Sequence, residues 1–238
     1  MGEFAPCSGA SVVTESSELP TRVARLAWRR IVGARNHARL WGPLTGEAVA
    51  GQALHVTGAN GCGKSTFLKA LAGLHTPVAG VIDRTPAEVL LIGHELPLSP
   101  DLDALTNLSL WLALVAREPV PRERCAAALA AAAVPTGRAV RLLSAGQRRK
   151  VALCVLPLAE RRVWLLDEPL DALDHQATLW LAELCNQHLQ RGGCMVYTSH
   201  QRGPAAFPRH SVLALSNGGA VEVPDGVPAH APDLRAAA

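Results

Sequence analysis

The sequence predicts an α/β fold, in which a mostly parallel β-sheet carries helices on both faces. Short apolar stretches that suit buried strands alternate with segments of helical periodicity along most of the 238 residues. One of these stretches, Val163–Leu166, is apolar at every position, which is typical of a parallel strand covered on both faces. Another, residues 53–56, runs into a glycine-rich turn and a helix, and it forms the first clear strand, loop and helix unit.

The remaining elements follow from periodicity and from turn residues. Apolar residues recur at helical spacing from Lys64 until Pro77 and Gly80 end the helix, and Pro119 and Pro121 separate two helices of the middle segment. In chain order we expect strands at residues 21–28, 53–56, 88–93, 163–166, 195–198, 212–215 and 220–223. We expect helices at residues 64–74, 105–116, 122–133 and 176–189.

The two ends of the chain are predicted to lie outside the ordered domain. Asn217 and Gly218 favour a tight antiparallel hairpin between the last two strands, and the Pro, Gly and Ala content of residues 224–238 predicts a mobile tail. Residues 1–20 carry three glutamates before the first arginine and lack a secretory pattern, so we expect a flexible leader, with an uncleaved organelle address as the alternative. The domain itself is expected at residues 21–223.

Composition narrows the class of function. The formal net charge is +3 and apolar residues make up 49% of the chain, so neither dominant disorder nor a strongly basic nucleic-acid surface is expected. The most apolar stretch, near residues 125–134, is far shorter than the roughly 20 residues that cross a bilayer. Six scattered cysteines without a Cys-x-x-Cys pair indicate a reducing compartment and no zinc site.

A phosphate-binding loop follows the strand at residues 53–56. The segment from Gly58 to Ser65 matches the pattern G-x-x-x-x-G-K-[ST]. The nucleotide-binding residues expected from it are Gly58, Ala59, Asn60, Gly61, Cys62, Gly63, Lys64, Ser65 and Thr66. Glycines let successive N–H groups turn toward the phosphates, and the N-terminus of the following helix adds its positive end. In this motif Lys64 reaches the β- and γ-phosphates, and Ser65 ligates Mg²⁺.

An acidic pair is expected at the carboxyl end of Val163–Leu166. Asp167 and Glu168 follow this buried strand directly, at the edge where open α/β sheets bind their ligands. Asp167 would hold Mg²⁺ through water, and Glu168 would polarise the attacking water as a general base. The two motifs together predict a nucleotide hydrolase.

Between the two motifs lies a pentapeptide that resembles the signature motif of ABC ATPases: Leu143, Ser144, Ala145, Gly146 and Gln147. Ala145 stands where the commonest version has glycine, and the spacing to Lys64 and Asp167 agrees with the family. The resemblance covers roughly residues 23–222. It implies a P-loop NTPase of the ABC ATPase type, with an antiparallel β part near the N-terminus and a helical subdomain at about residues 97–150.

The resemblance assigns roles to further residues. Asp174 matches the family's D-loop, and His200, after a buried strand, matches the switch histidine that contacts the γ-phosphate. ABC ATPases hold ATP and Mg²⁺ in a sandwich of two copies, in which the phosphate loop of one copy faces Ser144 and Gly146 of the other. A homodimer is therefore implied. The catalytic residues that the resemblance implies are Lys64, Glu168 and His200.

Two positions depart from the family pattern. ABC ATPases carry a glutamine after the second core strand, where it touches Mg²⁺ and senses the transporter, whereas residues 91–95 offer Glu95. This carboxylate can still ligate Mg²⁺, but it adds negative charge near the phosphates, so we expect slower or pH-sensitive turnover. Trp28 is the best candidate for the aromatic ring that stacks on adenine, and burial of this tryptophan is an equally good interpretation.

Cys62 and three short basic groups allow more than one interpretation. A helix N-terminus could activate the Cys62 thiol, and an inert residue that fills a variable loop position is the alternative. The basic residues at 29–30, 148–150 and 161–162 are few and separated. We expect a solvated face, or contacts with nucleotide and partner, rather than nucleic-acid binding.

Within the family, the chain most resembles the ATP-binding subunit of the haem exporter of cytochrome c maturation. Residues 58–74, the Gly93-His94 step and residues 143–153 and 198–201 carry this resemblance. It implies integral membrane permease partners that handle the haem, and a peripheral position on the ATP side of an inner membrane, bacterial or mitochondrial. The alternatives are the ATPase subunit of another small transporter, for import or lipoprotein export, and a degenerate subunit that mainly senses nucleotide.

Overall fold

A computed structural model describes residues 24–35, 38–85, 89–200, 207–208, 211–216 and 219–223. The predicted leader, the predicted tail and the Asn217-Gly218 turn lie outside the described residues. The strands are β1 (Arg25–Arg35), β2 (Ala38–Val49), β3 (Ala53–Thr57), β4 (Ala79–Thr85), β5 (Val89–Ile92), β6 (Val163–Leu166), β7 (Cys194–Thr198), β8 (Ser211–Ser216) and β9 (Gly219–Val223). The helices are α1 (Lys64–Leu71), α2 (Ala104–Val115), α3 (Arg122–Ala131), α4 (Ala145–Leu153), α5 (Val155–Leu158) and α6 (His175–Gln190), with a 3₁₀ turn at Val140–Leu142.

A six-stranded sheet confirms the predicted α/β fold. Its strands lie in the order β5-β6-β7-β3-β8-β9, and β9 alone runs antiparallel to its neighbour. β6 is buried at all four positions, as its apolar sequence predicts. Because β3, β6 and β7 are parallel, the phosphate loop, the acidic pair and His200 follow their strands at one edge of the sheet.

Different layers cover the two faces of this sheet. Along β6, Trp164 and Leu166 belong to a core shared with helices α2 to α6. Val163 and Leu165 point the other way, into a core shared with α1 and the antiparallel strands. The alternation along one short strand therefore places helices on both faces, as predicted.

A three-stranded antiparallel sheet, in the order β2-β1-β4, packs into this second core. It confirms the antiparallel β part that the family resemblance implies. Periodicity predicted one strand here, at residues 21–28, and β2 and β4 were missed. β1 pairs with both neighbours through several register shifts between Trp28 and Ala34. These irregularities disturb the strict alternation of buried and exposed residues by which a strand is recognised in a sequence.

Two tryptophans pack α1 against the antiparallel sheet. The rings of Trp28 and Trp41 meet Phe67 of α1 edge to face, with centroids 5.5 and 5.4 Å away. Trp41 also packs directly on backbone, because a Cβ at Gly33 or Gly63 would lie 2.2 or 2.9 Å from its ring. Trp28 is 2% exposed, so the structure supports burial in the core and not adenine stacking.

Helices α2 and α3 and most of α4 lie in the stretch predicted as a helical subdomain, residues 97–150. Asp103 begins α2, because its Oδ1 accepts a hydrogen bond of 2.9 Å from the N–H of Thr106. This bond is the main cause that lowers the pKa of Asp103. Across the described ranges, we find no helix with both the length and the hydrophobicity that a bilayer crossing requires.

We predict that His188 makes the protein less stable in weak acid. Its ring stacks on Trp164 with centroids 3.7 Å apart, its Nε2 lies 3.2 Å from the carbonyl oxygen of Cys194, and burial lowers its pKa to about 4. The unfolded chain, with a histidine pKa of 6.5, then binds the proton more readily. Stability present above pH 6.5 is lost as the pH falls toward 4.

Urea unfolding at pH 7 and pH 5 checks this prediction against His188→Phe, which keeps an aromatic ring on Trp164 but cannot titrate. Between these pH values the wild type should lose about 2 kcal/mol more unfolding free energy than the variant. Equal losses in the two proteins would show that His188 does not cause the acid sensitivity.

Candidate nucleotide site at the carboxyl edge of the sheet

A cleft of about 400 Å³ lies at the carboxyl edge of the parallel strands. It brings together most of the predicted phosphate loop, the acidic pair and the predicted switch histidine. The residues that line it are Arg35, Leu40, Asn60, Gly61, Gly63, Lys64, Ser65, Thr66, His94, Asp167, Glu168, Asp171 and His200. Motifs that are far apart in the sequence thus form one site.

The phosphate loop turns on glycines of positive φ. Gly61 and Gly63 have φ angles of 81° and 97°, and Gly63 directly precedes α1. Lys64 is 7% exposed, and its Nζ donates to the carbonyl oxygens of Gly58 at 2.9 Å and Ala59 at 3.3 Å. The ammonium group is therefore held inside the loop, beside a helix N-terminus that favours anions.

The Thr198 hydroxyl connects the two residues of the acidic pair. This threonine ends β7 and is fully buried. Its Oγ1 donates to Oδ1 of Asp167 at 2.8 Å and accepts from the backbone N–H of Glu168 at 2.9 Å. One hydroxyl thus satisfies a buried carboxylate and a buried amide, and it links β7 to the loop after β6.

Glu168 and His200 contact each other directly. Oε2 of Glu168 accepts a hydrogen bond of 2.9 Å from the backbone N–H of His200. Oε1 lies 3.2 Å from Nε2 of His200, close enough for an ion pair when the imidazole is protonated, yet it makes no hydrogen bond within the described part of the chain. The carboxylate is 8% exposed, whereas about half of the His200 side chain is open to solvent. Oε1 is therefore a buried acceptor at the cleft wall.

Arg149 of α4 contacts the same loops from inside the protein. Its guanidinium donates to the carbonyl oxygens of Gly93 at 2.9 Å, Asp167 at 2.6 Å and Glu168 at 2.5 Å. Burial lowers the pKa of Arg149, and the carboxylates of Asp171, Asp167 and Glu168 oppose this shift. Arg149 is 4% exposed, so the expectation of a solvated face or of contacts with nucleotide and partner is wrong for this member of the basic triplet.

The signature segment lies in a different cavity, of about 430 Å³. Ser144 caps α4 through a reciprocal pair of hydrogen bonds with Gln147, of 3.1 and 3.0 Å. Leu143 is buried, and a Cβ on Gly146 would lie 2.6 Å from the carbonyl oxygen of Ala172, which favours glycine there. The residues lining this cavity are Ser144, Ala145, Gly146, Gln147, Lys150, Ala172, Leu173, Asp174 and Ala177. The signature and the D-loop therefore form one surface, apart from the cleft.

The ligands available for Mg²⁺ are oxygen atoms at the cleft wall. Ser65 and Asp167 both line the cleft, whereas Glu95 is exposed and is not among the lining residues. His94 lines the cleft in its place, with Nδ1 3.9 Å from Oδ2 of Asp171. Within the described ranges, no three His, Cys, Asp or Glu side chains are grouped to hold a metal. This donor set suits Mg²⁺, which takes most of its ligands from phosphates and water.

Sequence reasoning missed five residues of this region. Arg35 and Leu40 lie on β1 and β2, strands that were only partly predicted, so nothing pointed to their place in the cleft. His94 belongs to the Gly93-His94 step of the family resemblance, which gave it no role in the site, and Asp171 lies three residues after Glu168, a proximity that was its available signal. Thr198 ends a predicted strand and begins the 198–201 segment of the family resemblance, but neither signal pointed to its hydrogen bonds with the acidic pair.

The Cys62 thiol is packed inside the loop. Cys62 is 3% exposed, and a Cβ on Gly58 would meet its Sγ at 2.7 Å. Such burial supports an inert residue that fills the loop. The other described cysteines are also buried and unpaired, and burial raises the pKa of Cys154 and of Cys194 to about 12.

Comparison with known proteins relates this geometry to a family. The sequence profile of the ABC transporter family matches residues 43–171. The cytochrome c biogenesis ATP-binding export protein CcmA of Pseudomonas aeruginosa is 41% identical over 184 residues, which cover 72% of this chain and 90% of that protein. The protein of the same name from Bradyrhizobium diazoefficiens is 37% identical over 188 residues, with 74% and 92% coverage.

Solved structures show the same fold at low sequence identity. The ATP-binding subunit of an ABC transporter superposes with a TM-score of 0.72 at 21% identity, over 84% of this chain and 90% of that chain. A dimeric ATP-binding cassette in a post-hydrolysis state, bound to ADP and Pi, gives 0.71 at 19% identity, over 83% and 98%. The predicted fold is confirmed by these superpositions.

We predict that Thr198→Val destabilises the protein although valine has nearly the same shape. The change leaves the Asp167 carboxylate without a buried donor and the Glu168 N–H without an acceptor. We expect the free energy of unfolding to fall by about 2 to 4 kcal/mol. Urea unfolding measures this loss.

Two variants serve as controls for this prediction. Thr198→Ser keeps the hydroxyl and should retain most of the stability. Thr178→Val removes a hydroxyl that donates to the Asp174 carbonyl at 2.9 Å within α6, and we expect a smaller effect. A Thr198→Val protein as stable as Thr178→Val would contradict the bridging role.

Proposed function

Because the chain belongs to the ABC transporter family and, within it, to the cytochrome c biogenesis ATP-binding export proteins, we propose that it hydrolyses ATP to energise a membrane transporter. The observation that carries this proposal is the convergence of Lys64, Asp167, Glu168 and His200 on one cleft. These residues come from three separate parts of the sequence: Lys64, the adjacent pair Asp167 and Glu168, and His200. A fold used only for scaffolding would have no need to bring them together.

The phosphate loop holds the triphosphate in this proposal. The N–H groups of the loop and the positive end of α1 face the phosphates, and Lys64 adds a full charge. The ammonium already lies inside the loop, so binding requires it to exchange carbonyl partners for phosphate oxygens and not to cross the cleft. Electrostatic stabilisation of this kind supplies most of the catalysis in phosphoryl transfer.

Glu168 acts as the general base. A water oxygen attacks the γ-phosphorus, its proton passes to Glu168, and the bond from the γ-phosphorus to the bridging oxygen breaks to release ADP. The backbone N–H of His200 holds Oε2, so Oε1 is the oxygen that remains to accept the proton. In this proposal the half-exposed imidazole of His200, which lines the same cleft, contacts the γ-phosphate.

Mg²⁺ would be held by Ser65 and Asp167. When bound, the ion neutralises charge on the β- and γ-phosphates. Glu95 stays a third candidate ligand, although the adjacent His94, and not Glu95, lines the cleft. The protein's own contribution is to hold Asp167 in place through the Thr198 hydroxyl.

The active unit is a homodimer in this proposal. Ser144 and Gly146 lie in a cavity that their own cleft does not share, so they are available to the nucleotide of a second copy. The capping box uses the N–H groups of Ser144 and Gln147, so the N–H groups of Ala145 and Gly146 at the N-terminus of α4 are the donors for a γ-phosphate. Hydrolysis removes the bridging charge and opens the interface.

The dimer is proposed to dock on integral membrane permease subunits at the inner face of an energy-transducing membrane. Two relatives that are 41 and 37% identical carry names that couple ATP binding, export and cytochrome c biogenesis. We infer that the cargo is haem, which the permease and its partners handle, while this subunit supplies the energy.

Two substitutions test the hydrolytic function. Lys64→Ala should lose ATP binding or hydrolysis, since the phosphate charge is no longer matched. Glu168→Gln should bind ATP with near wild-type affinity, stall hydrolysis and accumulate as a dimer, because the general base is gone while the triphosphate sites remain. Binding of a fluorescent ATP analogue, phosphate release and light scattering report these quantities.

The exposed ion pair of Arg25 and Glu47, on the antiparallel sheet, supplies the control. Arg25→Gln should bind and hydrolyse ATP like the wild type. Retention of both binding and hydrolysis in Lys64→Ala would overturn the assignment of the phosphate loop. A Glu168→Gln protein that stays monomeric in excess ATP would contradict the sandwich.

Co-purification tests the transporter assignment. The full-length protein, isolated from gently solubilised membranes of its native source, should bring down membrane proteins of cytochrome c maturation, identified by mass spectrometry, in a fraction that hydrolyses ATP. Recovery of a permease from a different transport system would keep the ATPase function and reject the haem assignment.

A further inference from the structure

Arg149 joins three segments that the sequence keeps apart. It lies on α4, whose N-cap is Ser144 of the signature segment. Its guanidinium reaches the carbonyl oxygen of Gly93, which follows β5, and those of Asp167 and Glu168, which follow β6. These contacts cross 56, 18 and 19 positions of sequence. One side chain therefore holds the signature helix, the loop that carries His94 and the loop that carries the acidic pair.

The contact is built for a guanidinium and not for any cation. The carbonyl oxygens converge on two terminal nitrogens, with distances between 2.5 and 2.9 Å, in a space where Arg149 is 4% exposed. A planar fork satisfies several converging acceptors at once, whereas an ammonium group is a point charge on a flexible stem. The carboxylates of Asp171, Asp167 and Glu168 favour the charged form of the group and so oppose the burial that lowers its pKa.

The backbone of Glu168 is the part of the site that most needs holding. Its φ is 49°, in the left-handed region that a residue with a side chain seldom adopts. Its N–H donates to the Thr198 hydroxyl, and its carbonyl accepts from Arg149. Both peptide groups that flank this strained residue are therefore anchored, one to β7 and the other to α4.

We propose that Arg149 is a positioning residue, which fixes the backbone of Glu168 so that its carboxylate is aimed into the cleft, and which couples that aim to the position of the signature helix. This inference rests on the proposed ATPase function and deepens it. Movement of α4, whose N-terminus faces the second copy, is transmitted through the guanidinium to the general base. No described contact of Arg149 involves the phosphate loop, so we expect the loop to bind ATP without it.

The experiment compares Arg149→Lys with the wild-type full-length protein. Lysine keeps the charge and loses the fork, so kcat should fall about 10- to 100-fold while the KM for ATP changes by less than about 2-fold. Arg84→Lys is the matched control, because Arg84 also donates to two backbone carbonyls, of Leu71 at 2.6 Å and Ala70 at 2.8 Å. Arg84→Lys should keep the wild-type kcat.

A second comparison separates positioning from a general structural role. If Arg149 acts through Glu168, the double variant Arg149→Lys with Glu168→Gln should hydrolyse ATP within about 2-fold of Glu168→Gln alone, in single-turnover assays. Independent effects would multiply, and that result would overturn the proposal. So would a wild-type kcat in Arg149→Lys, or a parallel loss of ATP affinity and kcat.

Thermal unfolding and ATP-analogue binding are measured on every variant, so that kinetic values refer to folded protein. Should Arg149→Lys not fold, Arg149→Gln, which keeps two N–H donors without the charge, is measured in the same way and must show the same split between kcat and KM. A wild-type protein without ATPase activity would refute the proposed function itself. An active wild type with additive variants would refute only the role of Arg149.

Discussion

The arrangement of this protein depends on the burial of two adjacent carboxylates at the end of β6. Asp167 and Glu168 are 4 and 8% exposed, and buried charge is costly unless donors surround it. The donors to the carboxylates come from β7 and the residues after it: the Thr198 hydroxyl and the backbone N–H of His200. The guanidinium of Arg149, on α4, donates instead to the backbone carbonyl oxygens of both residues. β7 must therefore lie beside β6, and α4 must pack behind both strands.

The same constraint explains why reactive groups and supporting groups are hard to separate here. The Thr198 hydroxyl stabilises the fold by satisfying two buried groups, and by doing so it sets where the acidic pair points. The contact of His200 with Glu168 likewise links the end of β7 to the carboxylate that the chemistry needs. Hydrogen bonds among buried polar groups restrict their motion, and rigidity at this edge of the sheet is what a positioned general base requires.

Local motifs made much of the fold and site predictable from the sequence. The phosphate loop and the acidic pair each occupy consecutive residues after an apolar strand, so short-range pattern was enough to find them, and parallel strands then guarantee that they meet. Residues that act through long-range contacts were not predictable in this way. Arg149 sits in a basic triplet that suggested solvent or partner contacts, and only the packing of α4 under β5 and β6 shows that it is buried.

The antiparallel part was implied by the family resemblance, but its strands β2 and β4 were not predicted from periodicity, for a related reason. β1 pairs with β2 on one side and β4 on the other through register shifts. The irregular sequence pattern of β1 alone does not indicate that these two partner strands exist. Trp28 was ambiguous for the same cause, since its contact with Phe67 joins two elements that are separate in sequence. In both cases, the pairing of the antiparallel strands and the burial of Trp28, contacts between distant parts of the chain determine the structure.

The packing of Trp41 has a consequence for how this chain can change over evolutionary time. The ring occupies the space that a side chain at Gly33 or Gly63 would need, and its Nε1 donates to the carbonyl oxygen of Gly63 at 3.2 Å. A methyl group at either glycine demands a smaller residue at position 41, and a smaller residue there leaves the Gly63 carbonyl without its indole donor. Substitutions at the three positions are therefore coupled, and the phosphate loop limits which residues this part of the antiparallel sheet can accept.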